Sequence, residues 1–128
     1  MALTTEQLAA IPDSYFKAVD AFDAKRVGAH FAEDAVVTVQ TDHRTFNGRA
    51  AIELMFTDFF AASSTIFHDI RNMVVQAELQ KVATEQGYQG ELKDGSKNDM
   101  HNCNFFDINA NGKIQRMIIW MAGTNPLK

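Results

Sequence analysis

The chain has 128 residues, and its 46% hydrophobic content, with ten Phe and six Met, favours one domain over residues 1–128 and excludes intrinsic disorder. Its formal charge is −4 and its Lys and Arg are scattered, so neither nucleic acid nor an anionic membrane is expected as a partner. The single cysteine, Cys103, excludes an intrachain disulfide and a cysteine-based zinc site, and fits a reducing compartment.

The sequence also predicts a cytoplasmic protein. The segment "MALTTEQLAA" lacks the basic and apolar regions of a signal peptide. The longest dense apolar run, "MIIWMA", is too short to span a bilayer.

The first half of the chain carries helical patterns. Apolar residues recur at helical spacing over residues 4–21, with Thr4 or Thr5 as cap, although Pro12 leaves open a helix that begins there instead. Asp23 can cap a second short helix through residue 31. "AVVTVQ" is a β-branched strand, and a third helix is predicted over residues 49–60.

From Thr65 onward the pattern changes to long alternating strands. They are "TIFHDIRNMVVQAEL", "KVATEQGYQGEL", "NDMHNCNFFDIN" and "GKIQRMIIWMAG", and "KDGSKND" and "NANG" are turn signals between them. Helices followed by an antiparallel meander predict an α+β domain with helices packed on one face of a curved sheet.

The order of these parts resembles the cone-shaped fold shared by nuclear transport factor 2, ketosteroid isomerase, scytalone dehydratase and the SnoaL-type polyketide cyclases. The resemblance covers nearly the whole chain and is carried by "YFKAVDAFDAKRVGAHFAEDAVVTV", "FNGRAAIELMF" and "NFFDINANGKIQRM". It implies a nuclear transport factor 2-like cone, in which a curved, mostly antiparallel sheet wraps around N-terminal helices and encloses an apolar pocket. Because the fold hosts isomerases, dehydratases, cyclases, hydrolases and non-catalytic binders, the resemblance says little about the reaction.

The resemblance to ketosteroid isomerase implies two of its three catalytic groups. Its oxyanion-hole tyrosine matches Tyr15, and its second oxyanion donor, an aspartic acid, falls on Asn104, whose amide can donate the same hydrogen bond. Its general base, another aspartic acid, falls on Val39, and valine cannot move a proton. Steroid isomerisation by that mechanism is therefore not expected.

His68, in "IFHDIRN", is the candidate acid/base. Strand alternation places His68, Ile70, Asn72 and Val74 on one face. Similar strands in this superfamily begin with a pocket histidine, as in scytalone dehydratase, so this face is expected to point inward. An imidazole transfers protons readily near neutral pH, but a structural histidine at the mouth of the cone is an equal alternative.

The strand "NDMHNCNFFDIN" places two amides, Asn102 and Asn104, in line with the apolar Phe106 and Ile108, which favours a cavity wall over a solvated face. Tyr15 and Asn104 are the predicted partners of His68 in catalysis, although a core tyrosine is an equal alternative for Tyr15. The predicted substrate-binding residues are Asn102, Asn72, Phe56, Phe59, Phe106, Met117 and Ile119. With Val19 and Val82, they suit a flat hydrophobic ligand.

No metal or other cofactor is expected, because the four histidines lack tight spacing and the sequence contains neither a phosphate loop nor a nucleophile elbow. His101 faces outward unless its strand carries a bulge. His43 and Asp42 occupy a loop that either covers the pocket mouth or is solvated, and His30 is interpreted as a packing residue.

The last two strands have apolar residues on both faces, with Phe105, Ile118 and Trp120 opposite the cavity. Apolar residues on both faces indicate that both faces are covered. We therefore predict a homodimer through the sheet, as the resemblance also implies. Cover by a C-terminal segment is the alternative.

Together these residues favour a cofactor-independent lyase or isomerase, of the cyclase or dehydratase type, that acts on a small hydrophobic carbonyl-bearing compound in a buried pocket. The main alternative is a non-catalytic small-ligand binding protein of the same fold, which the missing carboxylate at Val39 favours. A protein-interaction module is a third class, for which no surface beyond the dimer face is evident.

Overall fold

Three helices and six strands make up the fold of the computed structural model, which describes residues 2–123 and 125–127. The helices are α1 (Thr5–Asp20), α2 (Ala24–Gly28) and α3 (Arg49–Ala62). The strands are β1 (Phe31–Val39), β2 (Arg44–Asn47), β3 (Ser63–Gln76), β4 (Lys81–Leu92), β5 (Lys97–Ile108) and β6 (Ile114–Trp120), with a short 3-10 turn at Ala77–Leu79. Within the described residues, no helix is long and apolar enough to cross a membrane.

Helix α1 begins at the first of the two starts that the sequence left open. The Thr4 hydroxyl accepts from the backbone N–H of Gln7 at 3.1 Å, and the Gln7 side chain accepts from the Thr4 N–H at 2.9 Å, which forms a capping box. Pro12 lies inside the helix and is buried. It removes one helical hydrogen bond, but the capped first turn and the buried face hold the helix on both sides of it.

The segment between α1 and α3 differs from its prediction. Asp23 caps α2 through the N–H of Arg26, as expected, but the helix ends at Gly28 and Phe31 already belongs to the sheet. Pairing of Phe31 with Ile114 of β6 draws the chain into the sheet earlier than β propensity alone suggests. Strand β2, which pairs with β1, was not predicted because it is only four residues long.

The six strands form one sheet in the order β2-β1-β6-β5-β4-β3. Neighbours are antiparallel except β1 and β6, which run parallel, so the meander from β3 to β6 is completed by the first strand of the chain. Helices α1 and α3 pack on its inner face. The predicted α+β cone with a curved, mostly antiparallel sheet is confirmed.

A β-bulge reverses part of the predicted alternation in β3. The pairing with β4 shifts between Ile70 and Asn72, so that one residue is left over. Before the bulge, His68 lies on the inner face of the sheet, as predicted. After the bulge, Met73 is the half-buried side chain, whereas Asn72 and Val74 are exposed. The prediction that Asn72 shares the inward face of His68 is therefore wrong.

The two faces of β5 differ sharply. Phe106 is fully buried and packs against Tyr15 and Phe16, with ring centroids 5.9 and 6.3 Å away. Phe105 is 49% exposed on the outer face, close to Trp120 of the neighbouring strand, which is 50% exposed. The sheet thus carries an apolar outer face in addition to the core.

Candidate functional site

A cavity lies between the inner face of the sheet and the helices α1 and α3. Its free volume is about 30 Å³, which is room for roughly two water molecules and far below the size of ordinary ligand pockets, about 300–1,000 Å³. The lining residues are Tyr15, Phe16, Val19, Phe56, Phe59, His68, Gln86, Tyr88, Asn102, Asn104, Ile119, Met121, Pro126 and Leu127. A small cavity lies among these residues, and the chain's own side chains nearly fill it.

Most of the predicted site residues meet at this cavity. Those that line it are His68, Tyr15, Asn104, Asn102, Phe56, Phe59 and Ile119. Phe106 and Met117 do not line it, because both are fully buried in the core beside it. Asn72 lies on the outer face and donates a long hydrogen bond, 3.4 Å, to Glu85.

His68 forms a close pair with Asp20, the last residue of α1. One carboxylate oxygen of Asp20 accepts from the His68 ring Nδ1 at 2.6 Å, and the other accepts from the backbone N–H of His68 at 2.9 Å. Because a carboxylate only accepts, the Nδ1 of a neutral His68 carries the proton and Nε2 keeps its lone pair. The pair therefore holds the imidazole as a base whose free nitrogen is Nε2.

Two aromatic rings fix the plane of the His68 imidazole. Phe16 stacks on one side, with centroids 4.8 Å apart, and Tyr88 on the other, 5.2 Å away. The Tyr88 ring has room for its hydroxyl end because residue 90 is a glycine; a Cβ at Gly90 would lie 2.4 Å from that oxygen. The imidazole is thus held on both faces as well as at Nδ1.

The amide of Asn102 is oriented by the backbone. Its Oδ1 accepts from the N–H of Ala122 at 3.0 Å. Since a backbone N–H can only donate, the oxygen assignment is fixed, and the Nδ2 of Asn102 is the atom left for the cavity that this residue lines.

Asn104 is oriented by a chain of buried side chains. The Thr84 hydroxyl donates to the Gln86 oxygen at 2.7 Å, and the Gln86 amide donates to the Asn104 oxygen at 2.9 Å. The Nδ2 of Asn104 lies 3.6 Å from the Met117 sulfur, which only accepts, so the direction of the chain is determined. Both amide oxygens are therefore occupied by protein donors, so these two side chains offer N–H groups rather than oxygens, and one N–H group of Asn104 is engaged by Met117.

Tyr15 supplies a hydroxyl group at the cavity wall, in addition to the amides of Asn102 and Asn104. Burial, with a smaller contribution from the nearby Asp20 carboxylate, raises the pKa of Tyr15 far above its usual value. Burial also raises the pKa of Tyr88, and the neighbouring Asn98 amide offsets part of that rise without meeting hydrogen-bond geometry. Both phenols are neutral donors throughout the physiological range.

These raised values predict a specific alkaline behaviour, since Tyr15 and Tyr88 are the two tyrosines of the chain. In the unfolded chain both ionise near pH 10.0, the ordinary value, whereas burial in the native protein holds the pKa of both above it. The unfolded state therefore loses protons first, and stability falls as the pH rises above that value. We expect phenolate absorbance to appear together with the loss of circular dichroism; phenolate that forms in a still-folded protein would contradict this.

Three polar residues with a role at the site were not predicted: Asp20, which holds His68, and Gln86 and Tyr88, which line the cavity. Asp20 could have been found, because it follows the buried Phe16 by four residues and so shares its helix face. Gln86 and Tyr88 lie on the inner face of β4, but a glutamine and a tyrosine among alternating residues carry no functional signal of their own. Their roles depend on pairing between distant strands, which the sequence does not display.

The other histidines lie away from the cavity. The Nδ1 of His30 donates to the Arg26 carbonyl oxygen, and its Nε2 forms a hydrogen bond with the Ser14 hydroxyl, both at 2.8 Å, as a packing residue would. His101 is on the outer face between Arg71 and Glu85, and its hydrogen bond is the largest cause of a lowered pKa of Glu85. In residues 2–123 and 125–127, no cluster of His, Cys, Asp and Glu has the composition of a metal site.

Comparison with known proteins identifies the family of this chain. A family model described as a SnoaL-like domain matches residues 13–117. The chain belongs to the SnoaL-like family. Among curated proteins, no sequence matches this SnoaL-like chain significantly.

Solved structures support the same fold for the SnoaL-like chain. A candidate aromatic ring hydroxylase from Novosphingobium aromaticivorans is 27% identical, with a TM-score of 0.84 over 98% of this chain and 99% of that one. A candidate SnoaL-like polyketide cyclase from Shewanella denitrificans is 12% identical, with a TM-score of 0.80 over 89% of each chain. The pinacolase BvnE from Penicillium brevicompactum is 15% identical, with a TM-score of 0.81 over 91% of this chain and 86% of that one.

Proposed function

We propose that this SnoaL-like domain is a cofactor-independent lyase or isomerase that moves a proton next to a carbonyl group of a small hydrophobic compound. The observation that carries the proposal is the His68–Asp20 pair at a cavity lined by two amides whose oxygens are already occupied. A base and a set of donors for one oxygen are the two elements that such chemistry needs.

In this mechanism the Nε2 of His68 accepts a proton from the carbon beside the carbonyl, and the electron pair of that C–H bond moves onto the carbonyl oxygen. The N–H groups of Asn102 and Asn104 and the hydroxyl of Tyr15 donate to the oxygen as it gains charge. The imidazolium, stabilised by Asp20, then returns the proton to another carbon in an isomerisation, or to a leaving hydroxyl group in an elimination. No electron acceptor is required for either outcome.

Two further features support a hydrophobic, flat substrate. The cavity wall includes the rings of Phe16, Phe56, Phe59 and Tyr88, which favour apolar and aromatic ligands. Relatives of the same fold include a pinacolase and a candidate polyketide cyclase, and the 27% identical structure is a candidate aromatic ring hydroxylase. Acid/base chemistry on a carbon skeleton is compatible with the first two.

A non-catalytic ligand-binding role is the second candidate. It is favoured by Val39, which stands where the resemblance places the carboxylate base of ketosteroid isomerase. The His68–Asp20 pair argues against it, because a binding pocket needs no imidazole that a carboxylate holds in one tautomer at the cavity wall.

The donor character of the cavity predicts which ligands bind. Methyl naphthyl ketone should bind more tightly than ethylnaphthalene, which matches it in apolar body but lacks the acceptor oxygen. Asn102→Leu should reduce that preference by about tenfold, because one hydrogen bond to a carbonyl is worth about 1 kcal/mol and a donor left unpaired costs somewhat more. Isothermal titration calorimetry with both compounds measures the ratio.

Asn72→Ala is the matched control, since the structure places that amide on the outer face. It should leave the ratio of affinities unchanged. Equal affinity of the wild-type protein for ketone and hydrocarbon would refute the donor assignment, as would a larger effect of the Asn72 substitution than of the Asn102 substitution.

We further propose that the outer face of the sheet pairs with a second copy of the chain. It exposes the apolar Phe105 and Trp120, and beside them Arg71, His101 and Glu85 form a network with N···N and N···O distances of 3.1 and 2.7 Å. A face that combines an apolar centre with both signs of charge can be self-complementary about a twofold axis. Sedimentation at micromolar concentration should show a dimer; a monomer would contradict the proposal.

A further inference from the structure

Three residues outside every helix and strand close one side of the cavity. Pro126 and Leu127 line it, and the Leu127 and Asn125 side chains are buried, with only 5% and 3% exposed. We call residues 125–127 the strap. Because it occupies space at the cavity wall without belonging to the sheet or the helices, it can leave that wall without breaking a strand pairing or a helical turn.

The strap is folded by its own asparagine. The Oδ1 of Asn125 accepts from the Leu127 N–H at 2.7 Å, and its Nδ2 donates to the Leu127 carbonyl at 2.8 Å. Both backbone groups of Leu127 are thus satisfied inside the strap. The Leu127 backbone groups therefore need no partner in the rest of the chain, and once the strap leaves the cavity wall water can reach the Leu127 N–H.

One side chain ties the strap to the rest of the chain. The Nδ2 of Asn125 lies 3.2 and 3.1 Å from the two oxygens of Asp42, in the turn after β1. The neighbouring Thr41 is bonded to the backbone of Met121, with its hydroxyl 2.7 Å from the N–H and 3.3 Å from the carbonyl oxygen. Met121 is therefore tied to that turn, and among the described residues Asp42 is the hydrogen-bond partner that the strap itself has outside residues 125–127.

We propose that the strap is a ligand-displaced plug, with Leu127 filling the apolar part of the cavity and the Asp42–Asn125 contact as its latch. A free volume of about 30 Å³ admits no naphthyl-sized compound, so a ligand has to replace a side chain of the wall. Leu127 is apolar like the ligand body proposed above, so a bound ligand can replace the core packing that Leu127 loses on withdrawal. Among the described residues, the hydrogen bond to the rest of the chain that is lost with it is the latch. The inference rests on the proposed ligand site but not on its chemistry.

The test is the association rate of prodan, a fluorescent naphthyl ketone, by stopped flow. A ligand that binds only the open state has its apparent affinity reduced by the open fraction, so weakening the latch raises both affinity and association rate. Asp42→Ala and Leu127→Ala should each increase the rate by about tenfold. Asp34→Ala is the matched control, because Asp34 also accepts from an amide, that of Gln115, but does not touch the strap.

Hydrogen exchange of the Leu127 amide is the second measurement. Its protection should be present in the wild-type protein, should fall in Asp42→Ala, and should be lost when prodan binds. Unchanged association rates in both strap variants would overturn the proposal, as would Leu127 protection that survives prodan binding or a failure of all variants to bind prodan. His68→Gln should keep the gating intact, so failure of the proposed catalysis and failure of the strap are distinguished.

Discussion

His68→Gln is expected to reduce proton transfer by about 10²–10⁴-fold, the range typical of a removed general base. A convenient reaction is the exchange of the methyl protons of methyl naphthyl ketone in deuterated water, followed by proton NMR, because it requires only deprotonation beside a carbonyl. Glutamine keeps a polar side chain of similar length between Phe16 and Tyr88, so the fold should survive. The variant should still bind the ketone, which separates lost catalysis from lost binding.

Asp20→Asn tests whether the orientation of the imidazole matters. One oxygen of Asp20 serves the backbone N–H of His68, at 2.9 Å, and in the variant the amide oxygen keeps that role. The amide nitrogen then faces Nδ1 of the ring, which becomes an acceptor, and the proton moves to Nε2. The base is lost without removing the histidine, and the exchange rate should fall by about 10²-fold or more.

The nitrogen chemical shifts of the His68 ring report this change of tautomer directly. Asp13→Asn is the matched control, because Asp13 is a carboxylate of the same helix that pairs with the exposed Lys17. It should alter neither the shifts nor the exchange rate. A wild-type protein with Nε2 protonated in the neutral imidazole, or an Asp20→Asn variant of full activity, would remove the basis for the catalytic proposal.

Much of the fold was predictable because its signals are local. The capping sequence at Thr4, the Asp23 cap, the periodicity of α3 and the turn at Asn111–Gly112 each depend on residues that are close in the sequence. Strand β2 and the parallel pairing of β1 with β6 depend instead on contacts between distant segments. The sequence alone carries little information on such pairing.

The site was only partly predictable for the same reason. His68 and Asn104 follow from strand alternation and from the resemblance to known families. Asn72 was misplaced because one bulge residue in β3 reverses the alternation, and a bulge leaves no strong trace in the sequence. Asp20 was missed because its partner is 48 residues away, and the role of Leu127 depends on how the last described residues cross the cavity.

Strand β5 carries the two amides Asn102 and Asn104, and two neighbouring phenylalanines of the same strand test which of its faces points inward. Phe106→Ala should lower the free energy of unfolding by about 3–5 kcal/mol, because it removes a fully buried ring and leaves a cavity beside Tyr15 and Phe16. Phe105→Ala, one residue earlier on the exposed face, should cost about 0.5 kcal/mol or less within the protomer. Chemical denaturation at one fixed protein concentration measures both.

The two substitutions should rank in the opposite order in their effect on dimer formation. Phe105→Ala removes apolar surface from the proposed dimer face and should shift the sedimenting species toward a monomer. The fraction of the Phe106→Ala variant that remains folded should still form a dimer. Because dimer formation itself stabilises the protein, the small effect of Phe105→Ala should grow with protein concentration, while that of Phe106→Ala should not. If Phe105→Ala were the more destabilising change at every concentration, the register of β5 would be shifted by one residue, and Asn102 and Asn104 would face outward with Phe106.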